Sequence, residues 1–487
     1  MSASERIVSF LLLALSLFSV SGCYTGGPSS GGGQTEFKGP RQVRPADIAL
    51  PPGYRIEAVA SGLTFPTGVT FDASGVPYVV EAGYAYGEVW TTPRLLRMDG
   101  GSGKEIASGG RNGPWTGVAF GHGAFFVAEG GELEGGRILR ILPNGETTAL
   151  IEGLPSKGDH HTNGPAIGPD GKIYFAQGTA TNSAVVGEDN YKFGWLKRFP
   201  DFHDVPCRDV ELTGVNFESA DPTGRKSGKV NTGPFLPFGT PATAGQHIKA
   251  RLPCNGAIFR IDAEGGSPEL VADGLRNPFG LAFAPDGRLF ATENGYDDRG
   301  SRPVWGVGDV LWQITPGKWY GWPDFAEGRP ITLEDFKPPH KKRLTNLLSG
   351  HVMTPPKPTA IMGVHASANG FDFSRSNAFG YAGQAFIAEF GDQAPTVGKS
   401  LHPVGFRVIR VDISNGRIED FAVNKGKRNG PASKIGGAGF ERPVAVRFSP
   451  SGDALYVVDF GVMLQSKKGS FPQRGTGVLW RITKSNS

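Results

Sequence analysis

Three cysteines and five methionines in 487 residues are few. No C-x-x-C-H string occurs, which excludes an attached c-type haem. The histidine pair His160–His161 lacks zinc-ligand spacing, and no cysteine lies near it in sequence to complete such a site. The formal net charge is only +4 and no lysine or arginine block stands out, so nucleic acid is not an implied partner. Beyond the first 23 residues no apolar run is long enough to cross a bilayer as a helix.

What is present begins with an address. Arg6 precedes the apolar run Ile7–Val20, too short to span a membrane and of the length of a secretory leader. It ends in Val20-Ser21-Gly22-Cys23, which resembles a bacterial lipoprotein cleavage box with Cys23 as the lipidated residue. Residues 24–50, with "GGPSSGGG", read as a flexible tether, and 51–487 as the folded body. The expectation is an exported protein held at a membrane by a lipid anchor alone. Cys207 and Cys254 then either pair in an oxidising compartment or remain buried thiols. Pairing would close a loop of about 47 residues, contributing on the order of 4 kcal/mol in the chain-entropy model.

The 73 glycines and 38 prolines point to a turn-rich, all-β chain, and internal repeats set its architecture. Six stretches place a small residue before an apolar one, then a turn, then an apolar run ending in an acid or amide. They are Pro66–Gly83, Trp115–Gly131, Thr162–Gly178, Pro278–Gly295, Ala368–Gly391 and Pro443–Gly461. Each is followed by an alternating, β-branched strand such as "ILRILPNG" or "VLWRIT", and several by a fourth such as "PELVADGL". The last copy ends with three strands, and "YRIEAVASGL" at Tyr54–Leu63 supplies the missing one. The expected fold is an all-β, six-bladed β-propeller closed by an N-terminal strand that completes the last blade.

That topology puts residues before each first strand and after each second strand on one face, around the channel mouth. His160, His161, Arg276, Asn277, His365 and Arg442 are of the first kind. Gln177, Asn294, Gly295, Tyr296, Glu389 and Asp392 are of the second. A concave mouth ringed by such groups is a candidate ligand site.

The strings "GLRNPFGLAFAPDGRLFATENG", "GDVLWQITPGKWYGWPDF", "DHHTNGPAIGPDGKIY", "GVHASANGFDF" and "FERPVAVRFSPSGDALYVVD" resemble the soluble glucose and sorbosone dehydrogenase family, which uses pyrroloquinoline quinone. The resemblance spans most of Ile56–Thr483. It implies oxidation of a sugar or sugar aldehyde, with a histidine base taking the hydroxyl proton as hydride passes to the quinone and on to a soluble or membrane acceptor. It also implies a calcium ion on backbone carbonyls. By register His160 is the first choice of base and His161 the alternative. Arg276 and Asn277 would bind and polarise the quinone, with Asn294 on its wall and Arg442 pairing from the last blade. Gly295 and Tyr296 fall at the calcium-ligand positions, and His365, Ser367 and Lys399 are further mouth candidates. Three departures stand out: Glu293-Asn294-Gly295 in place of E-H-G or E-Q-G, Phe279 in place of a glutamine, and no arginine near Pro165.

An insertion, Thr179–Pro253, interrupts the third blade and by strand order emerges on the mouth face beside His160. Long structured loops in such places are commonly functional, and Trp195, Phe199 and Phe202 are expected to be available for stacking on a sugar ring. Two other readings remain. One is a metal-dependent lactonase-type propeller using Glu81, Glu129, Glu389 and Asp459. The other is a non-catalytic surface propeller that binds glycan or protein.

Overall fold

The computed structural model describes residues 37–485, apart from 86–88, 100–101, 132, 225–227, 352, 393–402 and 467–468. Cys23 and the leader lie outside the described residues, as does Lys399. Six antiparallel sheets, each built on one of the six repeats, stand around a central axis. Their innermost strands are Pro66–Phe71, Trp115–Gly121, Thr162–Ile167, Pro278–Phe283, Ala368–Phe373 and Pro443–Phe448, and each packs against the next, the last against the first. The propeller is therefore closed. In the sixth blade Tyr54–Leu63 pairs along Gly477–Lys484 as its outermost strand, as the sequence implied.

The small residue of the repeat has two tasks. Every innermost strand slips register against its neighbour near the mouth, between Pro66 and Gly68 or between Asn163 and Ala166, for example. Such bulges bend the strand and re-aim its end. At the same level adjacent blades touch backbone to backbone. A Cβ on Gly117 would lie 2.1 Å from the Gly164 carbonyl oxygen, and one on Gly280 2.6 Å from that of Asn369. Only glycine permits that approach.

The acid or amide that ends each second strand is buried and holds the blade together at the mouth. Glu81 accepts from the Thr64 amide at 2.7 Å and pairs with Arg94. Glu129 takes Asn112, the Trp115 indole and Arg137. Gln177 accepts the Thr162 hydroxyl. Glu293 accepts the Arg276 amide and the Trp312 indole. Glu389 pairs with Arg407, and Asp459 takes the amides of Glu441 and Arg442 together with the Arg41 guanidinium. These bonds assign Glu81, Glu129, Glu389 and Asp459 to structure, against the lactonase reading that made them metal ligands.

Of the stretch read as tether, residues from Arg41 onward lie against the body: Arg41 is buried on Asp459, and Ile48–Ala49 adds a fifth strand to blade five. The insertion leaves blade three after Gln177 and returns at Ala257, and the Cys207–Cys254 disulfide ties its two arms. Trp195 and Phe202 are buried with Leu196, and Trp195 stacks on Phe199 at 6.3 Å. They form the insertion's own small core, which corrects the expectation that they stack on a sugar.

Two outcomes follow from these features. Gly117→Ala should cost about 2 kcal/mol in denaturant unfolding, because the neighbour that must yield is backbone. Burial pushes the carboxyls of Glu293, Glu389 and Glu441 up to about 7. Their folded pKa values lie above the unfolded ones, so the folded chain holds protons that the unfolded chain releases, and stability falls as pH rises towards and through 7. His160, shifted the other way, opposes this with a single group. The melting temperature should be higher at pH 6 than at pH 8, and Glu389→Gln should narrow the gap.

Candidate active site

His160 begins the site. Its Cβ packs on Gly178, where a side chain would lie 2.3 Å away, and the ring is buried. Nδ1 lies 2.9 Å from the Thr179 carbonyl oxygen and 3.0 Å from the Thr179 hydroxyl, which itself donates to the Thr181 carbonyl. A carbonyl only accepts, so Nδ1 carries the proton and Nε2 is left as the basic nitrogen. Burial, then the charges of Arg276 and Arg299, hold the His160 pKa well below the usual histidine range. The imidazole is therefore neutral near pH 7. His161 turns the other way, its Cβ against Gly130 of the second blade.

Thr179 also donates its amide to the Arg276 carbonyl at 2.9 Å, which couples His160 to the fourth blade. The Arg276 side chain is almost fully buried and all of its nitrogens are engaged. Nε donates to the Asn182 carbonyl at 3.1 Å. Nη1 donates to the carbonyls of Asn294 and Gly295, at 3.2 and 2.6 Å. Nη2 donates to Asn182 Oδ1 and Asp297 Oδ2, at 2.9 and 2.8 Å. Asn182 belongs to the insertion, and its amide nitrogen donates back to the Asp297 carbonyl.

Asp297 and Arg299 complete the cluster. Arg299 pairs with Asp159, Asp189 and Asp297 at 2.8, 2.6 and 3.1 Å. Burial opposes the Asp297 charge, yet Arg276, Arg299 and His365 hold its carboxyl below the usual range. Burial, opposed by Arg299 and aided by Asp189, raises that of Asp159. His365 lies 3.7 Å from Asp297, and both His365 and Ser367 adopt left-handed backbone with φ of 60° and 54°. Such conformations are costly outside glycine and concentrate where function fixes them.

A chain of amides forms the floor. Asn163 donates to Asn277, Asn277 to Asn294, and Asn294 to the Ala368 carbonyl. The structure thus brings together His160, Arg276, Asn277, Asn294, Gly295, Tyr296 and His365. Arg442 stands apart, buried between the Phe390 and Phe406 rings with Nη1 on the Gly391 carbonyl. Thr179, Asn182, Asp297 and Arg299 were not anticipated. The run "YDDRG", which begins at the expected calcium position Tyr296, was the available signal for the last two, and nothing in the insertion marked Asn182.

The fit to the two implied groups differs. A planar polyanionic quinone suits a neutral base beside a floor of amide donors, since Asn277 and Asn294 each present a second N–H. Arg276, expected to bind it, has all of its side-chain N–H groups on protein acceptors in this structure. Calcium does not fit. Its oxygen ligands lie at about 2.3–2.6 Å, whereas the Gly295 carbonyl carries a guanidinium 2.6 Å away. A divalent ion beside a buried cation costs several kcal/mol, on the order of 4 kcal/mol per unit charge at 4 Å. Tyr296 is buried, its hydroxyl donating to the Phe325 carbonyl. Among the described residues no group of three or more His, Cys, Asp or Glu side chains is placed to hold a metal.

Comparison with known proteins agrees with the fold and with part of the sequence. Residues 251–393 match the family model described as glucose/sorbosone dehydrogenase. Quinoprotein glucose dehydrogenase B of Acinetobacter calcoaceticus is 28% identical over 180 residues, which is 36% of this chain and 28% of that protein. The matched part therefore spans under a third of that relative. Among solved structures, the holo pyranose dehydrogenase PQQ domain of Coprinopsis cinerea superposes with a TM-score of 0.55 at 16% identity, covering 92% of this chain and 98% of that one. The PQQ-bound aldose sugar dehydrogenase of Streptomyces coelicolor gives 0.50 at 18% identity, covering 90% and 100%. At such identity these structures speak for the fold. The match over residues 251–393 takes in Arg276-Asn277-Pro278 and Tyr320-Gly321-Trp322-Pro323, two of the strings that carry the resemblance to that family, and the solved structures share the propeller fold.

Proposed function

We propose that the protein is a sugar or sugar-aldehyde dehydrogenase dependent on pyrroloquinoline quinone, with His160 as its base. The observation that carries this reading is the His160 tautomer: Nδ1–H is committed to Thr179, so Nε2 is a neutral, buried acceptor at the mouth. When bound, the quinone supplies the acceptor for the hydride. Nε2 takes the proton of the substrate hydroxyl, and the Thr179 carbonyl stabilises the imidazolium that results. Asn277 and Asn294 hold the cofactor from the floor, His365 and Ser367 from the fifth blade. Arg276 and Asp297 orient the backbone around it and do not polarise it directly. The reading leaves calcium out, because the Gly295 carbonyl already carries Arg276.

Export and anchoring through Cys23 belong to the same proposal, as does a soluble or membrane electron acceptor. The Cys207–Cys254 disulfide supports export, since such bonds persist in oxidising compartments.

The test is a titration of the protein with the quinone followed by absorbance, then addition of a panel of aldoses and sugar aldehydes. One-to-one binding and reduction by a sugar are expected. His160→Ala should lower kcat by about 10²–10⁴-fold, and His161→Ala should change it little. Because the His160 pKa is lowered, the acid limb of kcat/KM should lie below the ordinary histidine range. A protein that binds no quinone, or that binds glycan tightly without it, would overturn the reading. Loss of turnover in His161→Ala with His160→Ala intact would reassign the base.

A further inference from the structure

Five oxygens surround the Arg276 guanidinium within hydrogen-bond reach: the carbonyls of Asn182, Asn294 and Gly295, the Asn182 side-chain oxygen and an Asp297 carboxylate oxygen. That donor set is all hard oxygen with one formal negative charge, the chemistry that a calcium ion selects. It is already filled by a cation fixed to the chain. We infer that Arg276 is a built-in positive charge that takes the place of a metal ion at this mouth, and that the protein needs no calcium to form its site.

Three features beyond the distances support this. First, the five oxygens come from two segments, the insertion at Asn182 and the loop 294–297, so the cation between them joins separate elements as a bridging metal would. Second, the cage has its own wiring: the Asp297 amide donates to Asn182 Oδ1 at 2.9 Å, and the Asn182 amide nitrogen to the Asp297 carbonyl at 2.8 Å. Third, a second cation, Arg299, already shares the Asp297 carboxylate, at 3.1 Å. No carboxylate of the cage is left to neutralise a divalent ion. A guanidinium also has a property no ion has: its planar fork addresses several acceptors in fixed directions and cannot be chelated away.

The inference rests on the quinone-enzyme reading only for its bearing on cofactor binding, and its first test does not use the enzyme's activity. The purified full chain is treated with a chelator and dialysed. Metal content and thermal unfolding are then measured with and without added calcium. The expected result is no stoichiometric calcium and an unchanged melting temperature. Arg276→Ala empties the cage, and this variant should acquire calcium-dependent stabilisation, with an affinity at least ~100-fold above the parent's. Arg276→Lys keeps a cation there and should remain insensitive. Tight one-to-one calcium binding by the parent, with a rise in its melting temperature, would overturn the inference. So would an Arg276→Ala protein that folds and ignores calcium. Should Arg276→Ala not fold, the parent's calcium content and melting shift still decide.

A quinone titration in chelator separates this from the functional reading. Equal binding with and without calcium supports the built-in cation, and binding only with calcium refutes it. Binding in neither condition overturns the quinone reading, and the metal measurements on the protein alone then decide the role of Arg276.

Discussion

The mouth depends on one repeated interaction: a buried carboxylate or amide at the end of the second strand that, in every blade but the fifth, catches groups at the start of the first; in the fifth, Glu389 pairs with Arg407 of the third strand. In blades one, four and six the captured group is a backbone amide, of Thr64, of Arg276, and of Glu441 and Arg442. A charge-assisted bond to backbone in a low-dielectric setting is strong and directional. It fixes where the chain leaves the blade, and so where the next side chain emerges. Arg276 is placed by this bond through its own amide, before its guanidinium meets any partner.

The same logic extends inward. Thr179 holds His160 through Nδ1 and Arg276 through the Arg276 carbonyl, so imidazole and guanidinium share one backbone segment. The insertion contributes more than cover. Asn182 supplies two of the oxygens around Arg276, Asn190 donates to Asp159, and Asp204 takes the Ala180 amide and the Thr181 hydroxyl. Burial pushes the Asp204 carboxyl up to about 7, so this contact also charges near neutrality. The mouth face is thus built from blade ends and completed by a segment foreign to the repeat.

The repeat made the architecture legible. Turn residues, alternation and the recurring acid marked all six blades and the closing strand at Tyr54–Leu63, because period-2 burial and tight turns leave local signatures. The site was legible only in part. His160, Arg276, Asn277 and Asn294 lie in repeat register, which brings them to one mouth. Asn182 and Thr179 act through backbone carbonyls or through contacts made by an insertion, and neither leaves a pattern in one sequence. The surroundings of Arg276 were hidden for a related reason: residue type says what a guanidinium can bind, and only the fold says that five oxygens reach it. Trp195, Phe199 and Phe202 were misread because an aromatic cluster in a long loop serves equally to give that loop its own core.

The closing strand also orders events in time. Arg481 and Glu57, 424 residues apart in sequence, meet across the last sheet. Contacts of such separation come late, after the intervening chain has been gathered. The first blade can form on its own strands, while the sixth waits for Gly477–Lys484 to be made. A nascent chain therefore remains an open arc, with an unpaired edge at each end, until its last strand arrives. Such a molecule stays threadable until that strand pairs, and locks only then.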